Sequence, residues 1–108
     1  MMDFENLKVG DRIQWNVGNT VQSLTPEQIR PSDGPLKGWT LEAARVFVDG
    51  GPVRFRDDKG GEPTETDGDV LNDGEYWHLV GDSVANFKVI SSNGLVKINI
   101  TPFYKFGS

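Results

Sequence analysis

The 108-residue chain predicts an all-β fold: an antiparallel β-sandwich or jelly-roll-like barrel of seven to nine short strands, with at most one short helix near residues 25–30. Three observations predict it. Thirteen Gly and six Pro are many for this length and imply many turns, hence many short strands. Apolar and polar side chains alternate over Arg12–Val17 and again over Val96–Thr101, the period of a half-buried strand. The stretch Pro52–Val80 reads as strand, acidic turn, short strand, turn, strand, around a Gly/Pro/Asp/Thr loop that cannot be helical. The length fits one β domain spanning residues 1–108 with a single core, and there are no internal repeats, low-complexity segments or linkers.

Residues 1–10 carry Phe4, Leu7 and Val9 among polar neighbours, and Gly10-Asp11 is a turn signal. An arm that covers its own sheet is expected here, with packing on a neighbouring subunit as the competing reading. Ile13, Trp15 and Val17 share one strand face, with Arg12, Gln14 and Asn16 on the other. Gly18-Asn19 marks a hairpin turn or a bulge, and a weaker strand follows near residues 20–24. Thr25-Pro26-Glu27-Gln28 has the chemistry of a helix start, with Thr at the N-cap, Pro at the first helical position and Gln three after the cap. Pro31 ends that helix within a turn. The segment 25–38 then reads as a loop excursion reaching away from the sheets.

Trp39–Asp49 is the next strand, with a phase slip near Ala44-Arg45 that predicts a bulge. A helix over Leu41–Val48 competes, but Val46, Val48 and the Asp49-Gly50-Gly51-Pro52 turn favour a strand and a hairpin. Val53 and Phe55 then face one way, and Arg54 and Arg56 the other. Glu75–Val80 is a strand; if Trp77 and Leu79 face the core, Tyr76, His78 and Val80 lie on the opposite face. Gly81–Asn86 is a turn or one loose helical turn, and Phe87–Ile90 a short strand. Ser91-Ser92-Asn93-Gly94 is a hairpin signal. In Leu95–Tyr104, Val96, Ile98 and Ile100 form the buried face, and Pro102 places the strand at a sheet edge or ends it. Phe103, Tyr104 and Phe106 form a terminal aromatic cluster that either closes the core or makes an exposed patch.

Charge and composition narrow the chemistry. A net charge of −5 opposes sequence-independent binding to nucleic acid, which needs Lys and Arg to displace counterions. No run approaches the ~18 apolar residues of a membrane span. The chain has no cysteine, which removes disulfides and thiolate metal sites. The acidic, polar start is unlike a signal peptide, so synthesis and first folding are expected in the cytoplasm. Eight acids fall within residues 57–75 against one base, Lys59, a density that invites a Ca²⁺ reading. The spacing does not match an EF-hand loop, since Leu71 sits where a ligand is needed. Solvated loop acids are therefore the reading taken; no cofactor is expected, and calcium is the one ion this stretch admits. A single histidine, His78, makes a poor metal site, and no serine lies in a G-x-S-x-G setting. No enzymatic constellation is expected.

The runs PVRFRDDKGGEPTETDGDVL, NDGEYWHLVG and NFKVISSNGLVKINITPFY carry a resemblance. A Val-Arg-aromatic-Arg strand (Val53, Arg54, Phe55, Arg56) precedes a Gly-rich loop ending in Pro63-Thr64. Gly68, Leu71 and Gly74 follow, then a last pair of strands with Phe87, Ile90, Val96 and Tyr104. Over about residues 39–104 this pattern resembles small β-sandwich structural and accessory proteins of tailed bacteriophages. The resemblance implies a non-enzymatic virion component (head decoration, neck, tail or fibre accessory) made in the host cytoplasm and located in the virion. Its partners would be other virion proteins and its own copies, as a homo-oligomer with a trimer favoured, and neither nucleic acid nor membrane. The assembly contacts expected under it are Arg54, Arg56, Phe4, Ile29, Leu36, Phe103, Tyr104 and Phe106. The alternative is a carbohydrate-binding β-sandwich module, which needs Trp15, Trp39, Trp77, Tyr76 and Tyr104 to form a flat exposed platform. A small jelly-roll enzyme is a third class; cupin-type metal chemistry needs several histidines, and this chain has one.

Overall fold

Two antiparallel sheets are packed face to face in a computed structural model that describes residues 7–92 and 94–106. In the first sheet, β1 (Lys8–Val9) and β2 (Ile13–Val17) pair with one side of β9 (Val96–Phe106), and β4 (Trp39–Asp49) with the other. Beyond β4 lies β7 (Tyr76–Val80), which forms the sheet edge. The second sheet runs β3 (Gln22–Ser23), β8 (Lys88–Ile90), β5 (Val53–Arg56), β6 (Asp69–Leu71). The expected all-β sandwich is thus present. The helix foreseen near residue 25 is α1 (Pro26–Ile29), and a second short helix, α2 (Asp82–Asn86), exceeds the one expected. It buries Val84.

The core lies between the sheets. Val46, Val48, Val96, Ile98 and Ile100 come from the first sheet, and Val53, Phe55, Leu71 and Val89 from the second. Arg54 and Arg56 stand on the outer face of β5, as the alternation required. The bulge in β4 falls two residues before its predicted place. The register shifts between Leu41 and Ala43, so both Ala43 and Ala44 are buried.

Three turn signals serve a different purpose from the one expected. Gly18-Asn19, Asp49–Pro52 and Ser91–Gly94 close no hairpins; each joins strands of opposite sheets. Among the described strands, only β5 and β6 are both consecutive and paired. Gly, Asn and Asp supply the backbone freedom for a corner between sheets as readily as for a hairpin. Asn93 itself lies outside the described residues.

Pro102 is neither at a sheet edge nor a strand end. It sits inside the central strand β9, opposite Ala44. In an extended strand a residue's N and O point to the same side. The Gly10 N–H donates to the Pro102 carbonyl at 3.0 Å, so the missing donor of Pro102 falls at the gap between β1 and β2. No ladder bond is lost there, which is why proline is tolerated.

The 25–38 segment folds back onto the sandwich instead of reaching away. Thr25 and Gln28 form the foreseen capping box, with bonds of 3.1 and 2.8 Å. Ile29 and Leu36 pack against the core. The Tyr104 hydroxyl donates to the Gln28 carbonyl at 2.8 Å and ties the segment to β9. Burial raises the Tyr104 phenol above its ordinary value, and the Asp11 charge adds to this. The neutral phenol is the favoured form in the fold. Its stabilisation is complete below the unfolded pKa and is lost as pH rises through the folded one. Tyr104→Phe should cost about 1 kcal/mol at neutral pH. In alkaline denaturation its stability should fall less steeply than that of the parent chain.

Candidate functional site

The outer face of the second sheet presents the two arginines predicted from sequence. Arg54 Nη1 donates to the Gly68 carbonyl at 3.0 Å. Arg56 donates twice to Asp58, Nε at 3.0 Å and Nη2 at 2.8 Å. This bidentate bond holds the Asp58 carboxyl below the usual carboxylate range and raises the guanidinium further. Thr64 fixes the loop between β5 and β6 through backbone bonds to Asp67, and Pro63 is buried beneath it. An open cleft of about 510 Å³ lies here, lined by Arg56, Asp57, Asp58, Asp67, Gly68 and Asp69. Among the described residues, no group of three or more His, Cys, Asp or Glu side chains is placed to hold a metal ion.

The second feature is the edge of the first sheet. Strand β7, YWHLV, contains no Asp, Glu, Lys or Arg and buries only Leu79. Tyr76 is 56% exposed, Trp77 40% and Val80 51%. Tyr76 lies on the outer face, its ring 4.9 Å from that of Phe47 and under the Arg45 guanidinium. Trp77 points inward at the open side of the sandwich, 5.1 Å from the Phe55 ring, and its Nε1–H donates to Asp57 at 3.0 Å. The expectation of a core-facing Trp77 holds for its direction, but its position on an edge strand leaves the residue 40% exposed. Native sheet edges are ordinarily blunted by charge, proline or a bulge, and residues 76–80 carry none of these.

The remaining sequence-predicted contacts are spread over the molecule. Phe4 lies outside the described residues. Tyr104 is 4% exposed and belongs to the core, so burial withdraws its side chain from the surface role expected of it. Phe103 is half-buried on the outer face of β9. Phe106 is exposed and meets Trp39 edge to face at 5.3 Å, with Lys8 Nζ 5.5 Å from the same indole. The terminal aromatic cluster therefore divides, Tyr104 closing the core and Phe106 forming surface. Ile29 and Leu36 pack on the core, and Arg54 and Arg56 lie apart from them on the second sheet. The five aromatics of the carbohydrate reading do not form one platform. Trp15 and Trp39 pack against the core, Tyr104 is buried, and Tyr76 and Trp77 project to opposite faces of β7.

This geometry defines a two-sheet β-sandwich with an arginine-bearing face and an apolar, uncharged edge. No family model, no curated protein and no solved structure matches the chain.

Proposed function

We propose that the chain is a non-enzymatic structural component of a tailed-bacteriophage particle. It acts through contacts with its own copies and with other virion proteins. The observation that carries the assembly role is the edge strand β7, where three of five side chains are large, apolar and exposed without a flanking charge inside the strand. Val9 and Phe106 add exposed apolar surface on the same sheet. The particle comes from the resemblance over residues 39–104. Individually weak contacts suffice for such a role because particle symmetry repeats them.

In this reading Arg54 and Arg56 engage acidic loops of a neighbouring protein, chemistry to which the guanidinium fork is suited. Joint replacement, Arg54→Ala with Arg56→Ala, should leave the fold intact by circular dichroism, because exposed pairs contribute little to stability. Its incorporation into particles should fall well below that of the parent chain. The direct test is quantitative mass spectrometry of particles purified from the phage whose genome encodes the chain. A fixed copy number per particle is expected. Presence only in the unassembled fraction would overturn the reading.

A further inference from the structure

We infer that two copies of the chain pair through β7, antiparallel about a two-fold axis at Trp77, making the two first sheets continuous. This deepens the assembly reading above, and rests on it, by naming one partner and one register. The ladder between β7 and β4 determines which backbone groups of β7 point outward. Antiparallel pairing alternates between residues that bond the partner strand and residues that do not. Val48 N–H donates to the Glu75 carbonyl, and Gly81 N–H donates to the Glu42 carbonyl. Those bonds fix the phase: Trp77 and Leu79 bond toward β4, while Tyr76, His78 and Val80 turn their N–H and C=O groups away from it.

Val80 is not available. Its N–H donates to Ser83 Oγ at 2.8 Å, and Ser83 Oγ donates back to its carbonyl at 2.9 Å. Ser83 therefore caps one end of the edge. The outward groups left over are those of Tyr76 and His78, which no turn, loop or side-chain bond among the described residues engages. A two-fold axis at Trp77 sets Tyr76 opposite His78 of the second copy, and His78 opposite its Tyr76. That register uses all four free donors and acceptors of the two-residue edge on each chain. An axis at His78 would instead set Tyr76 against the capped Val80 and waste half of them.

The side chains agree with this register. On the inner face, the two Trp77 rings meet at the axis, at a non-hydrogen-bonded pair where side chains approach most closely. On the outer face, Tyr76 lies beside His78 of the other copy. In this register Trp77 is the one residue of β7 that faces its own copy, and its side chain carries no charge, so the strand sets no like charges against each other there. So short a strand gives a weak dimer, with less buried area than the ~1,200 Å² at the lower end of stable interfaces.

The chain has no native cysteine, so engineered ones report the register without ambiguity. Tyr76→Cys and His78→Cys are made separately in the full-length chain and oxidised alone and as a mixture. Directly opposed positions fall within the ~4.4–6.8 Å Cα spacing of a disulfide, whereas like positions here are diagonal, about 7–8 Å apart. The mixture should therefore cross-link several-fold faster than either variant alone. Equal rates in all three samples, or rapid self-linking of His78→Cys, would overturn the proposed pairing. His78→Pro is the second variant, since it removes an outward donor and leaves the β4 ladder intact. It should abolish the dimer of the parent chain in sedimentation while circular dichroism shows the fold retained; a persistent dimer overturns the proposal. A parent chain that stays monomeric and unlinked also overturns it, leaving the edge to a strand from a different protein. Such a failure does not touch particle incorporation, so the pairing and the virion reading fail separately.

Discussion

Replacing Phe55 by alanine will cost about 3–5 kcal/mol of stability. The side chain is 1% exposed and lies on the inner face of β5. Its ring is 5.8 Å from that of Phe87 and 5.1 Å from that of Trp77. It thus joins the second sheet to the edge strand of the first, and nothing nearby can collapse into its volume without moving one of them. Truncation removes the transfer free energy of the ring and leaves a cavity. Against a typical total stability of about 5–15 kcal/mol, that loss is a large fraction. Urea denaturation should show the midpoint falling with the slope unchanged. Phe47→Ala is the control. Its ring is half-buried on the outer face and pairs with Tyr76, so the aromatic contact it loses accounts for about 0.5–1.5 kcal/mol. Equal costs for the two would contradict the assignment of Phe55 to the centre of the core.

Gly68→Ala has the second large effect. Gly68 has φ +131°, a region that L side chains rarely adopt. A Cβ there would lie 3.1 Å from the Phe55 carbonyl oxygen and 3.2 Å from Pro63 Cβ. Neither neighbour is a flexible side-chain end, so the loop must shift. The expected loss is about 1–3 kcal/mol from backbone strain, with crowding added. The Gly68 carbonyl also holds Arg54, so the same substitution should loosen the arginine face and speed proteolytic cleavage within residues 57–67. Gly74→Ala separates the two contributions. Its φ is also positive, at +80°, but a Cβ there meets nothing within 4 Å, so only strain of about 1–2 kcal/mol is expected. Equal losses and equal proteolysis would show that the close approach at Gly68 is unimportant.

Strands were legible wherever burial imposed a period of two. Val53 and Phe55 against Arg54 and Arg56, and Val96, Ile98 and Ile100 against Lys97, stand as their alternation required. The Thr25 capping box was legible because its chemistry is wholly local. Pairing was not, because β4 and β9 meet across about half the chain and no turn between them encodes it. Turn residues specify a change of direction but not whether the next strand joins the same sheet, so two corners read as hairpins and Gly18-Asn19 as a hairpin or a bulge. Pro102 misled because its tolerance depends on a gap contributed by residues near Gly10. The Arg54 and Arg56 face could be read from alternation alone. The β7 edge could not, because sequence shows that YWHLV is a strand without showing that, among the described residues, no strand lies on one side of it. Trp77 shows the consequence: on an edge strand a side chain can face inward and stay partly exposed.

The most direct test of the assembly account is the mass of the full-length chain by multi-angle light scattering, from micromolar to millimolar concentration. Self-association through β7 requires a weight-average mass that rises with concentration from the 12.0 kDa of one chain toward twice that value. A mass that stays at 12.0 kDa throughout would contradict self-association through β7.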